Sequence, residues 1–560
     1  MLTKFLKPLS LLSFCKALVF TSSVSMLSLL FSTSISIAIA LSITLWPSLA
    51  DAKTLRMALS DDATTLDPHV ADLVVNRRLL NNIYEGLVTR DKDFKLAPAL
   101  AVSWSQPDAK TWRFKLRPNV KFHDGSPFTA DDVVFSFTRV QHPLSAVRAT
   151  VQGVSAAKRV DELTVDLIMA EPNPVLLNHL VNFRIMSKIW STKNHCLTPQ
   201  NYKDKEETFA SRSTNGTGPF ILASRQPDVK TVLMENKTWW NRAASEQAND
   251  RGNLTQVEWT PIKSAPTRIA ALLSGSIDLI ADPPLQDRDR IKNTPGYKLQ
   301  IGSEPRIFFL AFDQQRDELL YSNVKGKNPF KDLRVRQAMA LAIDVDLLVK
   351  KVMRGYGRPT ALMVGKEAQG YAGDLDQRQS VDLARAKKLM ADAGYAKGFE
   401  VTGDCLNQAP FGELCQGISS QLAQIGITMK INLVTFTNIF PKLEKYDTSF
   451  YIMGYGAPTM DAFEPMQGLV HSLKAGQSGS SDSNWGRYAN PKLDTLLDRV
   501  NRELDMNARD ALIRQALMIV RDDLAVIPLF QIVHAWAMRT NVEAPFVPNS
   551  LPYFYRFRIN

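Results

Sequence analysis

The stretch KTWRFKLRPNVKFHDGSPFTADDVVFSFTRV, residues 110–140, decides how the rest of the chain is read. Trp112, Phe114 and Leu116 alternate with Thr111, Arg113 and Lys115, the period-two pattern of a strand with one buried face. Pro118-Asn119 turns the chain. Val120 and Phe122 then resume the alternation up to Asp124-Gly125, a turn dipeptide whose glycine takes positive φ at little steric cost. Thr129 is a natural N-cap with Asp132 at N3, and Val133, Val134 and Phe137 form the apolar side of the helix that follows. Two short strands therefore lead into a capped helix.

At 560 residues the chain is too long for one core and implies two or three domains or lobes. Apolar residues at 45% and charged ones at 22% describe a globular protein. Residues 1–50 differ: they hold no Asp or Glu, carry Lys4, Lys7 and Lys16, and are otherwise mostly apolar or small. This predicts a signal peptide over residues 1–52, cleaved after Ala50 or Ala52. The alternative is an uncleaved membrane anchor, since residues 9–45 are long enough to cross a bilayer. Phe14 before Cys15 argues against lipoprotein processing. The formal charge of +11 is dispersed, with no basic run interleaved with aromatics, so nucleic-acid binding is not expected.

Strand and helix patterns alternate along the remaining chain, which predicts an α/β fold. Leu55, Met57 and Leu59 mark a strand and residues 76–85 a helix; a further strand spans 164–169 and a short helix lies near 175–181. Val257 and Trp259, residues 265–273, and Ile277, Leu279 and Ile280 read as strand, helix and strand. Asp332 and Asp344 start successive helices, residues 384–394 and 414–426 are amphipathic helices ending in glycine, and 428–434 is a strand. Two helices from Asn490 precede a short strand at 527–530. The glycine-rich turn STNGTGPF, 213–220, lacks the Gly-Lys-Ser/Thr ending of a phosphate loop and reads as a crossover.

The run LRPNVKFHDGSPFTADDVVFSF resembles the signature of extracytoplasmic solute-binding proteins of family 5, the oligopeptide- and dipeptide-binding proteins of ABC importers. The steps TLDPH (65–69), IYEGL (83–87), LLSGSIDLI (272–280) and NPFKDLRVRQAMALAIDVDLLVKKVMRG (328–355) are similar to the same family, so the likeness covers roughly residues 55–560. It implies a bilobal periplasmic-binding-protein fold of the large peptide-binding type, with an extra domain inside the first lobe. On that pattern lobe I comprises 53–98, 213–304 and 528–560, the inserted domain 99–212, and lobe II 305–527. The implied role is capture of a short peptide or peptide-like solute for an inner-membrane ABC permease, as a periplasmic monomer, tethered if the leader is retained. Relatives also bind nickel chelates, glutathione, opines and sugars, which stand as alternative ligands.

No Gly-x-Ser-x-Gly, His-Glu-x-x-His or Walker lysine is present, and the histidines have no i, i+4 pair suited to a metal. An exported hydrolase is the alternative of another class, and a tethered receptor without an importer a third; no cofactor is expected. Ligand-binding candidates are Asp461, Arg306, Tyr455, Gly456, Trp485 and His69. Gly454, Gly456 and Pro458 shape a loop that admits close backbone approach, and Asp461 is a natural partner for an ammonium group. The family resemblance places an amine-binding aspartate three residues before an acid-proline step, as Asp461 precedes Glu464-Pro465, although Pro458-Thr459-Met460 lengthens the loop. The competing role for Asp461 is a helix N-cap. Phe463 and Tyr488 join Tyr455 and Trp485 as aromatic wall candidates, against the alternative that all are core. Arg306 lies where the chain is expected to cross between lobes and would receive a carboxylate bidentately, unless it is a surface arginine. Cys405 and Cys415, flanking a loop with Pro410 and Gly412, are expected to form a short disulfide, with two buried thiols as the alternative; Cys196 is left over.

Overall fold

The opening stretch folds as its alternation dictates in the computed structural model, which describes residues 53–201, 207–473 and 483–560. The expected signal peptide lies outside the described residues. Strand Thr111–Leu116 buries Trp112, Phe114 and Leu116 and pairs with Ala101–Asp108 on one side and Thr164–Met169 on the other. Helix Ala130–Gln141 begins at Thr129, whose N–H donates to the Asp132 carboxylate at 2.8 Å, and Val133 and Phe137 pack beneath it. Val120 and Phe122 are buried, but a single bridge, Lys121 to Pro127, takes the place of the second strand. The turn at Gly125, with φ +87°, closes too tightly for a longer ladder.

One sheet organises the rest. Its order from one edge is Ile427–Val434, Phe399–Leu406, Phe450–Tyr455, Tyr297–Phe312, Ile527–Arg539, Leu279–Ala281, Thr54–Leu59, Gln256–Pro261, Lys230–Glu235 and Phe220–Gln226. Short strand Gly357–Pro359 pairs alongside Ile527–Arg539. The two long strands at the middle make the molecule bilobal. Tyr297–Ser303 pair with Val533–Arg539, the register shifts between Ser303 and Ile307, and Ile307–Leu310 pair with Ile527–Gln531.

Beyond that shift, period two splits the strand between two cores. Phe308, Leu310 and Phe312 enter one, under helices Leu333–Ala342, Leu383–Asp392 and Phe411–Ala423. Phe309 and Ala311 enter the other, under Phe463–Val470, Pro491–Val500 and Met506–Asp522. On the other side of the crossing, Leu55, Met57, Trp259 and Trp536 build a separate core. The four-stranded antiparallel sheet has its own core, from Leu87 to Ile185. Met186, Trp190, Cys196 and Ala210 pack with the first lobe's core instead, so the inserted unit's own packing ends well before residue 212.

Local chemistry accounts for most boundaries. Asp332 and Asp344 accept from the backbone N–H groups of Arg334 and Leu347, both at 2.8 Å, and start helices Leu333–Ala342 and Val345–Lys351. Gly394 and Gly426 end theirs at positive φ. The first helix, Val74–Leu80, is shorter than its expected span to residue 85: Asn82 turns its amide onto the carbonyls of Arg78 and Pro552. Strand Ile527–Arg539 is far longer than the four residues expected. Polar Gln531 and His534 break its apolar run, yet the strand continues because both face polar partners at the crossing. Cys405 and Cys415 are disulfide-bonded, with Cα atoms 6.5 Å apart, and Cys196 is buried and free.

The crossover reading of the glycine-rich turn matches its packing. A Cβ at Gly216 would lie 1.9 Å from the Ile83 carbonyl oxygen, so the turn is pressed against backbone and offers no anion cradle.

Candidate functional site: the cleft at the strand crossing

Where the two central strands shift register, a cavity of about 960 Å³ opens. Helix Val74–Leu80 contributes Arg77 and Arg78, the crossing strands contribute Glu304, Arg306 and His534, and the loop after strand Phe450–Tyr455 forms the opposite wall. Tyr455, Gly456 and Arg306, three of the expected binding residues, line it together. A Cβ on Gly456 would stand 3.2 Å from the Arg306 guanidinium, so the glycine leaves that side chain its present place at the wall.

The floor carries a chain of alternating charges. Arg306 donates through Nε and a terminal nitrogen to Glu304, at 3.2 and 3.0 Å. His534 Nε2 lies 2.6 Å from the other Glu304 oxygen, and its Nδ1 stands 2.8 Å from Asp282. Asp282 in turn accepts from Arg78 at 2.7 Å. Burial alone would lower the His534 pKa, but Asp282 and Glu304 on either side raise it to about 9, so it is an imidazolium at neutral pH. Glu304 is pulled down to about 2 by His534 and Arg306 despite its burial, and Asp282 is held well below the usual carboxylate range by Arg78 and His534 against the same opposing effect. Every member is partnered, so the row is rigid and already ionised.

Arg90 lies at the same cleft on neutral acceptors: the carbonyls of Phe94 and Thr459 and the Asn178 amide oxygen, at 3.1, 3.2 and 3.1 Å. Its contact with Thr459 ties residues distant in sequence across the cleft.

Three expected site residues sit elsewhere. Asp461 is 1% exposed, with its two oxygens held by Arg509 at 2.7 and 2.9 Å and one of them also accepting from the Phe463 N–H at 2.9 Å. The expectation that it awaits a ligand ammonium is therefore corrected: its charge is neutralised from behind, and it braces the first turn of helix Phe463–Val470. Trp485 packs edge-on against Phe440 and Tyr451 within the second lobe's core and does not line the cleft. Phe463 and Tyr488 belong to that core as well. His69 is fully buried between the Arg139 guanidinium and the Arg184 carbonyl, and burial, with the Arg139 charge, lowers its pKa to about 4. It is a neutral structural histidine.

The sequence reading missed Arg78, Asp282, Glu304, His534 and Glu464. Glu304 and His534 interrupt apolar strand patterns, and Glu464 was the acid of the acid-proline step that served only to position Asp461. Glu464 lines the cleft with its Oε2 accepting from the Thr459 N–H at 2.9 Å and from the Thr459 hydroxyl. Burial raises its pKa to about 7, with Asp461 adding to the shift. Among the described residues no cluster of three His, Cys, Asp or Glu suits a metal ion, and no helix is long and apolar enough to cross a membrane.

A two-lobed α/β molecule with a polar cleft at the strands joining its halves has the architecture of a binding protein. A profile of the family "Bacterial extracellular solute-binding proteins, family 5 Middle" matches residues 95–477. The chain is 25% identical over 538 residues to the periplasmic oligopeptide-binding protein OppA of Escherichia coli (strain K12), spanning 89% of this chain and 91% of that one. It is 27% identical over 484 residues to heme-binding protein A of Haemophilus influenzae, spanning 80% and 81%. Among solved structures, DppA from Helicobacter pylori in complex with the peptide STSA superposes with a TM-score of 0.72 at 23% identity, covering 91% of this chain and 98% of that one. HbpA2 from Haemophilus parasuis does so with a TM-score of 0.76 at 22% identity, covering 90% and 100%. This chain belongs to family 5 of the bacterial extracellular solute-binding proteins.

Proposed function

We propose that the protein captures a short peptide or peptide-like solute in the cleft and hands it, as a periplasmic monomer, to the inner-membrane permease of an ABC importer. The observation that carries this reading is the cleft itself. Its volume of about 960 Å³ stands at the upper end of the range for small-molecule sites, and its wall offers fixed guanidinium groups together with an accessible acid. A ligand with charged ends and a polar backbone matches such a wall. Closure follows from the crossing: Ser303–Ile307 and their partner segment run between the lobes at the cleft, and the register shift there gives the strands a place to bend.

The same reading assigns the chain binding without catalysis. The relatives named for peptides, glutathione and heme are binding proteins. A thermal-shift series of di- to pentapeptides tests the ligand class, because a ligand at one hundred times its Kd stabilises the folded state by about 2.7 kcal/mol. A rise with peptides supports the reading. No rise with any peptide, alongside a rise with an opine or heme, overturns it.

A further inference from the structure

Away from the cleft, the second lobe holds a separate cavity of about 500 Å³ that shares no lining residue with it. Helices Leu333–Ala342 and Leu383–Asp392, the end of helix Met506–Asp522 and the start of strand Ile527–Arg539 wall it in. We propose that this cavity is a second binding site, for a small dianion bearing carboxylate or phosphate groups, with Arg378 and Arg385 as the residues that receive it.

Arg378 supplies the geometry. Its Nη1 donates to the carbonyls of Thr360, at 3.0 Å, and Pro528. Its Nε and Nη2 donate to no protein group among the described residues, and neither is sealed from solvent. Those two donors form one edge of the guanidinium, spaced to meet two oxygens of a carboxylate or phosphate at once. Arg56 uses the same edge on Asp278, with Nε at 2.9 Å and Nη2 at 2.7 Å.

The charge balance of the wall calls for an anion. Arg521 is paired with Asp522 at 2.7 Å, and both oxygens of Asp374 are taken by Arg514. Among the described residues neither the Arg378 nor the Arg385 side chain pairs with a carboxylate, so two uncompensated guanidinium charges line the cavity. Asp376, two residues before Arg378, is committed to Arg358 at 2.7 Å. Burial pushes the Arg378 pKa down to about 10, and Asp346, Asp376 and Asp344 offset only part of that. A bound anion supplies the counter-charge this guanidinium lacks. Gln337, Gln377 and Gln379 add side-chain amides for further oxygens, and the volume suits a small molecule.

Titration calorimetry of the full chain with succinate and with inorganic phosphate, at one fixed ionic strength, tests this. Wild type is expected to bind at least one of the two saturably; a response to succinate assigns carboxylate solutes, and one to phosphate assigns phosphorylated solutes. Arg385→Glu, at an exposed position that spares the fold, is expected to weaken that binding at least about tenfold, and Arg378→Gln to do the same. Arg306→Gln, which alters the cleft instead, is expected to leave it unchanged. No saturable heat with either anion in wild type, a measurement that needs no variant, overturns the site. Binding that survives Arg385→Glu, or that Arg306→Gln abolishes, overturns it as well. The peptide reading concerns the other cavity and stands apart from each of these results.

Discussion

Arg509 meets both carboxylate oxygens of Asp461, at 2.7 and 2.9 Å, and neither side chain is more than 1% exposed. The pair locks helix Met506–Asp522 to the loop that forms the cleft wall. Removing one partner strands a buried charge, so Asp461→Ala or Arg509→Ala is expected to cost about 3–5 kcal/mol in chemical denaturation. A joint replacement by Leu and Met is expected to recover much of that loss. Unaltered stability in Asp461→Ala together with abolished ligand binding would return this aspartate to the ligand.

The charged row on the cleft floor predicts a pH profile. His534 has its folded pKa raised to about 9 from an ordinary 6.5, so its contribution to stability is full below pH 6.5 and lost as pH rises through 9. Glu304, lowered to about 2, contributes above its ordinary 4.5 and loses that contribution as pH falls through 2. Urea midpoints are therefore expected to fall between pH 7 and pH 10, and His534→Gln to flatten that fall. An identical slope in wild type and variant would contradict the ionised row.

Gly216 lies against the Ile83 carbonyl, where an added Cβ would stand 1.9 Å away. Gly216→Ala is expected to destabilise by about 1–3 kcal/mol through overpacking, and ATP is expected to leave the melting temperature unchanged. Tolerance of alanine, or a nucleotide-dependent rise, would reverse the assignment of this turn as a structural crossover.

Much of the fold was legible because it is written in local chemistry. Alternation gave Thr111–Leu116 and Thr164–Met169, and Asp332 and Asp344 announced their helices through side-chain caps. The site was less legible. Tyr455, Gly456 and Arg306 do line the cleft, and glycine spacing and a crossing strand are the sequence features that pointed to them. Asp461 misled because a buried aspartate and a ligand-facing one look alike until the partner, Arg509, is located 48 residues away. His534 and Glu304 were overlooked for the converse reason. Their meaning comes from a pairing between strands 230 residues apart in sequence, which no local pattern reports.

The most direct measurement is native mass spectrometry of gently purified protein, followed by identification of the small molecules released on denaturation. The expected result is a mixture of short peptides of varied sequence with free amino termini. Release of a single species without a peptide bond, such as a metal chelate, a sugar or heme, would contradict peptide capture as the function of the cleft.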